Sequence, residues 1–336
     1  MVNGKEAFVE EFVLHRIGAE GEPSIFSDFS AVIKGELEQQ FLRKLFLRPF
    51  TNMAFTCEFA SEKSAVRQLC AKIYDGESIV ENSVAIAKQL IATAPEDKMP
   101  GGDLIVAKFS AVQIGNAEHE AVGIFKFDEK EVFLESKLKD DAIALRMKRG
   151  LGNNKPNKAC LVVFSGDAPT LFIIDSQAST EYWQKDFIGA RPKKDFVNST
   201  SDRMNITKTF ITEQLPQDFV VEKADQIDLL NRSVDYFKNH TEFDQDEFTQ
   251  EVFQEEKTIQ SYKNYSDRYQ QENDVQVQDN FAISEHAVKK QARAFKSVLK
   301  LDKNFHIYIH GDRNKIEHGV DDNGRKFYKI FYEQES

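Results

Sequence analysis

Four apolar runs place the strongest constraint on the fold of this 336-residue chain. "DLIVAKFSAVQIG" (103–115) and "HEAVGIFKF" (119–127) are separated by a short turn that contains Gly and Asn, and "KACLVVFSGDAPTLFIID" (158–175) folds back on itself at "SGDAP". Runs rich in β-branched and aromatic residues and bounded by such turns are typical of β-hairpins. Because these turns are too short for crossover helices, the pattern predicts an antiparallel sheet rather than a parallel βαβ repeat.

Helical patterns precede the sheet. A predicted strand at 11–18 is followed by a helical pattern at 29–50, and two more helical patterns cover 61–74 and 78–94. Apolar residues on one side of the first predicted helix are Ile33, Leu37, Phe41, Leu42 and Leu45. The Pro- and Gly-containing break at 95–102 ends this region. The predicted class is therefore α+β, with N-terminal helices covering a mostly antiparallel sheet.

The second half of the chain is more polar. We predict an α+β domain at 1–179 and a second domain at 180–336, in which residues 213–279 form an acidic, solvated helical layer with too few apolar residues for a deep core. "SEHAVKKQARAFKSVLK" (284–300) then predicts a helix with Ser284 as its N-cap and Glu285 in its first turn. Three short strands follow, and "DDNG" joins the last two as a hairpin.

The charges are unevenly distributed along the chain. The formal net charge is −11, and residues 213–279 alone contain 17 acidic and 6 basic side chains, whereas residues 284–332 contain 6 acidic and 11 basic ones. A protein that is acidic on average can therefore still present a positively charged segment to an anionic partner.

The predicted helix at 284–300 has two stripes at spacings of four and three residues. One stripe is apolar and is expected to be buried, and it contains Val288, Ala292, Phe295 and Leu299. The other is basic and lies about 100° around the helix, and it contains Lys289, Arg293, Lys296 and Lys300, with Lys290 and Lys303 extending the charged side. A row of like charges predicts a phosphate-binding surface. A solvated face, or one that docks on the acidic segment, remains the alternative.

Other polar clusters are weaker signals. Arg191, Lys193 and Lys194 in "ARPKKDF" form a second basic cluster, which we include among the candidate DNA contacts. Arg146, Lys148 and Arg149 form a third. Glu135 and Lys137 fit half of the signature of a metal-dependent nuclease, but of the two upstream aspartates Asp128 is rather close and Asp103 rather far. Three sparse cysteines show neither metal-ligand nor disulfide spacing, so the sequence predicts no metal site, no cofactor and a reducing compartment.

Three segments carry a family resemblance. "YWQKDFIGA" (182–190), "AVKKQARAFKSVLKLDKNFHIYIHG" (287–311) and "KIEHGVDDNGRKFYKIFY" (315–332) resemble the bacterial nucleoid-associated protein family of the NdpA/YejK type. The resemblance covers roughly residues 8–332 and implies a cytoplasmic protein of the nucleoid that binds double-stranded DNA and has no assigned catalytic role. It supplies no motif of DNA-contacting residues, so the candidate contacts come from the charge pattern.

These observations predict a non-enzymatic, cytoplasmic DNA-binding protein with little sequence specificity. Duplication of a modest basic face would raise avidity, so we expect a homo-oligomer, most simply a dimer. Other nucleoid proteins are compatible partners. No stretch reaches the roughly 18–20 apolar residues of a membrane helix, and the first 18 residues lack the pattern of a secretion signal. Two alternatives remain: a regulatory module whose basic helix docks on an acidic protein, and a nuclease using Glu135 and Lys137.

Overall fold

The structure is a computed structural model that describes most of the chain. The described residues are 2–19, 21–53, 55–95, 100–139, 142–152, 154–166, 168–176, 182–273, 275–295, 298–309 and 315–334. Contacts divide the chain into two compact units, Met1–Lys193 and Lys194–Ser336. Each unit has its own hydrophobic core.

The first unit is built on a large antiparallel sheet. Its elements in chain order are β1 (Val2–Asn3), β2 (Phe8–Ile17), α1 (Glu36–Phe46), β3 (Cys57–Phe59), α2 (Ala65–Tyr74), α3 (Ile79–Thr93), β4 (Gly102–Ile114), β5 (Ala117–Phe127), β6 (Glu131–Lys139), β7 (Ala142–Gly150), β8 (Lys158–Val163), β9 (Thr170–Asp175), a π-helical segment (Tyr182–Ile188) and β10 (Ala190–Pro192). The sheet order is β1-β4-β5-β8-β9-β3-β10, and β2 also pairs with β4. The four apolar runs of the sequence are the central strands β4, β5, β8 and β9, so the predicted antiparallel sheet is confirmed.

Both faces of this sheet are covered. Along β4, Leu104 and Val106 belong to a core shared with α2, α3 and the π-helical segment, whereas Ile105 and Phe109 belong to a core shared with α1. This alternation is the two-residue period of a strand that is buried on both faces. The N-terminal helices therefore pack on opposite faces, which explains why these strands read as continuous apolar runs.

The boundaries of the first two helices differ from the prediction, whereas α3 (Ile79–Thr93) matches the helix predicted at 78–94. The predicted helix at 29–50 is shorter, since α1 covers only Glu36–Phe46, and it buries Leu42, Leu45 and Phe46 while Leu37 and Phe41 are exposed. The helix expected from residue 61 begins after Ser64, whose Oγ accepts a hydrogen bond from the Arg67 amide. Ser78 caps α3 in the same way, through the Glu81 amide. Local capping therefore decided these starts.

The second unit is mainly helical at first and ends in short hairpins. Its elements are α4 (Phe196–Thr209), a π-helical turn (Phe210–Gln214), α5 (Leu215–Asp218), α6 (Lys223–Asn239), β11 (Glu242–Asp244), α7 (Gln245–Val252), α8 (Glu256–Glu272), β12 (Asn280–Ala282), α9 (Glu285–Gln291), β13 (Val298–Leu301), β14 (Phe305–Tyr308), β15 (Ile316–Val320) and β16 (Lys326–Ile330). The pairs β11–β12, β13–β14 and β15–β16 are separate two-stranded antiparallel sheets.

The acidic segment has a deep core, contrary to the prediction of a solvated layer. Phe243, Phe248, Phe253 and Tyr262 are all buried in one cluster that α4 and α6 also join. Many of the rings lie edge to face, such as Phe210 and Tyr262 with centroids 5.3 Å apart. A few large aromatic side chains bury as much surface as many aliphatic ones. Counting apolar residues therefore underestimated this core.

The division by contacts places Tyr182–Ile188 and Ala190–Pro192 with the sheet of the first unit, because β10 pairs with β3. The predicted domain limits, 1–179 and 180–336, stay a prediction about independently folding parts. None of the described helices combines the length and the hydropathy needed to cross a bilayer.

Candidate nucleic-acid interface

The first basic group lies on α9 and on the turn that follows it. Ser284 caps the helix as predicted, because its Oγ accepts a hydrogen bond from the Ala287 amide at 3.4 Å. Lys289 and Lys290 lie in the last turn of α9, where positive charge is favoured by the helix dipole. Arg293 lies in a single 3₁₀ turn, Ala292–Ala294. These three side chains are exposed to solvent.

The predicted helix at 284–300 is wrong beyond this point. The α-helix ends at Gln291, the 3₁₀ turn ends at Phe295, and Val298–Leu301 is a strand paired with Phe305–Tyr308. Helical periodicity was present, but pairing with the neighbouring strand overrides a weak helix preference. The turn residues Asp302 and Asn304, followed by the alternating run at 305–309, were the sequence signal for this hairpin.

The second basic group lies on this hairpin. Lys300 is directly opposite His306, and Val298 is opposite Tyr308, so these four side chains share one face. Leu299 and Ile307 are on the other face, which packs in a small core with Ile227. Lys300 and Lys303 are exposed. Lys296 lies outside the described residues.

The two predicted stripes therefore have different outcomes. All four residues of the apolar stripe are buried or half-buried, although Val288 and Phe295 join the main core of the unit and Leu299 joins the small one. The basic stripe does not exist as one row on one helix, because Lys289 and Lys300 belong to different elements. Whether these cations contact DNA stays a prediction.

Few carboxylates neutralise these cations. Lys289 is 3.9 Å from Glu285, an exposed pair that contributes little to stability. Among the described residues, no ion pair joins Lys290, Arg293, Lys300 or Lys303 to a carboxylate. Cations that are not committed to intramolecular pairs remain available to an anionic ligand.

The cluster at "ARPKKDF" is more engaged in the fold. Arg191 donates to Glu58 at 2.8 Å, and the Lys193 ammonium donates to the Thr170 hydroxyl at 2.8 Å, both within the first unit. Lys194 begins the second unit and donates to the Gln276 amide oxygen at 2.6 Å. These three candidates therefore hold structural partners, whereas Lys290 and Arg293 pair with no carboxylate of the described residues.

The residues of the nuclease hypothesis lie on the β6–β7 hairpin. Lys148 donates to Glu135 at 2.6 Å. Asp128, one of the two aspartates considered as partners of Glu135, is instead buried and accepts a hydrogen bond from Lys126 at 2.8 Å. The other, Asp103, pairs with Arg16 and Lys130. Each of the three carboxylates is thus already paired with at least one cation.

Within the described ranges, one group of three side chains has the chemistry to bind a metal ion. Ligand atoms of His240, Glu247 and Glu251 lie within 4.8 Å of one another. No sequence pattern indicated this group, because its members meet only when the chain between α6 and α7 brings His240 next to Glu247 and Glu251. The imidazole Nε2 already faces both carboxylates, at 4.0 Å from Glu247 and 3.6 Å from Glu251. Contacts of the imidazole with both carboxylates account for the arrangement, and the expected absence of a metal stays a prediction.

Comparison with protein families places these observations in context. Residues 13–335 match the family described as nucleoid-associated protein YejK. The chain belongs to this family. The match to the YejK family spans nearly the whole sequence, including both units and all the basic elements described above. It confirms the resemblance inferred from the sequence. A comparison with curated proteins gave no match.

Proposed function

We propose that this protein is a non-enzymatic, cytoplasmic component of the nucleoid that binds double-stranded DNA through phosphate contacts with little sequence specificity. Membership of the nucleoid-associated YejK family supports the partner class. The proposed site rests on four exposed cations that form no ion pair with any carboxylate of the described residues: Lys290, Arg293, Lys300 and Lys303. Lysine and arginine contacts to phosphates position a protein on DNA without reading its bases.

The acidic helices of the second unit should limit the affinity for DNA to a moderate value. Helices α6 to α8 lie in the acidic segment 213–279, in which 17 acidic side chains outnumber 6 basic ones, so that its net negative charge repels phosphate. Affinity must therefore come from a local cluster of cations, and a homo-oligomer that presents two clusters would strengthen it. Other nucleoid proteins are compatible partners of such an assembly.

A salt titration tests this proposal. With about five phosphate contacts, from Lys289, Lys290, Arg293, Lys300 and Lys303, the logarithm of affinity for duplex DNA should fall with the logarithm of salt concentration with a slope near −4.5. Lys290→Gln/Arg293→Gln should weaken binding to all sequences alike and reduce the steepness of that slope by about two units.

The matched control is Lys238→Gln/Lys257→Gln, which removes the same charge from α6 and α8. It should leave the slope unchanged. If both double variants behave like the original protein, the cations of α9 do not contact DNA. Retention of an acidic protein partner, without retention of DNA, would instead favour the regulatory module.

A further inference from the structure

The β6–β7 hairpin is an amphipathic ribbon. Each strand is nine residues long, and among the described strands β6 and β7 pair with each other alone. Residues directly opposite one another in an antiparallel pair lie on the same face. One face consequently collects six large apolar side chains: Val132, Leu134, Leu138, Ile143, Leu145 and Met147.

The opposite face is polar. There Glu135 is opposite Arg146, Lys137 is opposite Ala144, and Lys148 is opposite Phe133. The Lys148–Glu135 ion pair stabilises this side. Segregation of apolar and charged residues to two faces is the pattern of a sheet that covers something on one side and meets water on the other.

The apolar face is nevertheless open. Its six large side chains are between 54% and 74% exposed, and none belongs to a core cluster of the described residues. At roughly 100 Å² per large apolar side chain, the face presents on the order of 600 Å². Monomeric proteins rarely expose a contiguous apolar patch larger than a few hundred Å². An isolated two-stranded ribbon is also only marginally stable in water.

We propose that this apolar face packs against the same face of a second copy of the chain. A face that needs cover for the hairpin to be stable requires a partner that is always present, and another copy satisfies this condition. Two such faces together would bury on the order of 1,200 Å², the lower end of the range for specific interfaces. In a two-fold dimer each patch meets an identical patch, and rows of Val, Leu, Ile and Met are self-complementary.

The charge distribution argues against DNA as the occupant. Among the described side chains of the ribbon, Arg149 is the one cation on the apolar face, opposite Val132 near the base, whereas Lys137, Arg146 and Lys148 are on the polar face. Phosphate binding would use the polar face and leave the apolar one uncovered. This inference names the interface of the proposed oligomer, and its test contains no DNA, so it can fail or succeed independently of DNA binding.

The oligomeric state of the purified full-length protein tests the proposal. Sedimentation equilibrium should show a dimer, and Leu134→Glu/Met147→Lys should weaken dimerisation by at least a hundredfold. These two positions are directly opposite, so the new charges form a cross-strand pair that supports the hairpin while removing its apolar surface. The control Glu135→Lys/Arg146→Glu exchanges an opposite pair on the polar face and should leave the dimer unchanged.

Thiol accessibility identifies the covered face without relying on the fold of the charged variant. Ser136→Cys lies on the apolar face opposite Leu145, and Lys137→Cys on the polar face opposite Ala144. The native Cys57, Cys70 and Cys160 are buried, and burial raises the pKa of Cys70 to about 12, so they contribute little background reaction. Ser136→Cys should be alkylated at least tenfold more slowly than Lys137→Cys. A monomeric protein, or equal reactivity of the two thiols, would overturn the proposal.

Discussion

Arg203 shows how single polar residues organise the interior of the second unit. Its side chain is fully buried, and its guanidinium donates to the Ser266 hydroxyl at 3.1 Å and to the Gln278 carbonyl at 3.3 Å. It also lies over the Phe243 ring, 5.1 Å from the centroid. A buried cation needs such hydrogen bonds to offset the loss of water. Arg203 thereby connects α4, α8 and the segment that leads into β12.

The neighbouring residue Asp202 lowers the stability of the folded state at neutral pH. Burial, with a smaller contribution from Asp195, raises the pKa of Asp202 to about 6 from 3.8. The folded state binds the proton of the Asp202 carboxyl more tightly than the unfolded state does. The contribution of this group to stability is therefore most favourable below pH 4. It falls as the pH rises, and the loss is complete above about pH 6.

We therefore expect Asp202→Asn to raise the free energy of unfolding at pH 7 by about 2–3 kcal/mol. The difference from the original protein should vanish near pH 4. Urea denaturation at several pH values measures both effects. Asp235→Asn, at an exposed position on α6, is the control and should change stability by less than about 0.5 kcal/mol. An Asp202→Asn effect independent of pH would contradict the assignment.

At the scale of elements, the segment that connects α9 to β13 is where helix and strand compete. Phe295 ends the 3₁₀ turn and is 8% exposed, in the same core as Val288. Its side chain holds the end of the helical segment against the unit, and the chain then continues as a strand. Phe295 therefore anchors the 3₁₀ turn that carries Arg293.

Phe295→Ala should cost about 3–5 kcal/mol of stability, because it leaves a cavity in the core. Phe305→Ala provides a matched control, since Phe305 lies on β14 with 62% of its surface exposed, and it should cost less than about 1 kcal/mol. Thermal or urea unfolding measures both. A mild effect at Phe295 would show that the turn is not anchored as described.

The acidic helices are predicted to compete with DNA for the basic elements of the same unit. Six acidic side chains of this segment are candidates for neutralisation: Asp244, Asp246, Glu247, Glu251, Glu255 and Glu256. The structure narrows the choice, because Asp244 caps α7, Asp246 pairs with Lys263 and Glu247 accepts from the Tyr236 hydroxyl. Glu255 and Glu256 are exposed at the start of α8.

Glu255→Gln/Glu256→Gln should therefore tighten binding to duplex DNA, by roughly two- to tenfold at low salt, and the gain should shrink as salt screens the charges. Glu62→Gln/Glu77→Gln makes the same change of net charge on exposed residues of the first unit and serves as the control. Equal tightening by both variants would mean that total charge, rather than the acidic helices, sets affinity.

At the scale of the whole molecule, avidity links the two proposals. A dimer held by the β6–β7 ribbons would present two sets of basic elements to one duplex. We expect Leu134→Glu/Met147→Lys to weaken binding to a long duplex by at least tenfold, although it changes no residue of the basic elements. On a duplex long enough for one set only, its affinity should equal that of the original protein. Fluorescence anisotropy with the two lengths separates these cases.

The central antiparallel sheet, the α3 helix, the capped start of α9 and the final hairpin are predictable from the sequence alone. These elements depend on local signals: long apolar runs, Ser caps and the "DDNG" turn. The sequence also indicated the family, through the segment 182–190 of the first unit and the segments 287–311 and 315–332 of the second. Local patterns of this kind survive folding because each one agrees with the contacts that form later.

The three-dimensional fold, and not the local sequence, makes 298–301 a strand, buries the aromatic core and brings His240 to Glu247 and Glu251. It also placed six apolar side chains on one open face of the β6–β7 ribbon. In each case the outcome depends on strand register or on residues brought together from different elements. The energy of such contacts exceeds the few tenths of a kcal/mol by which local preferences typically differ.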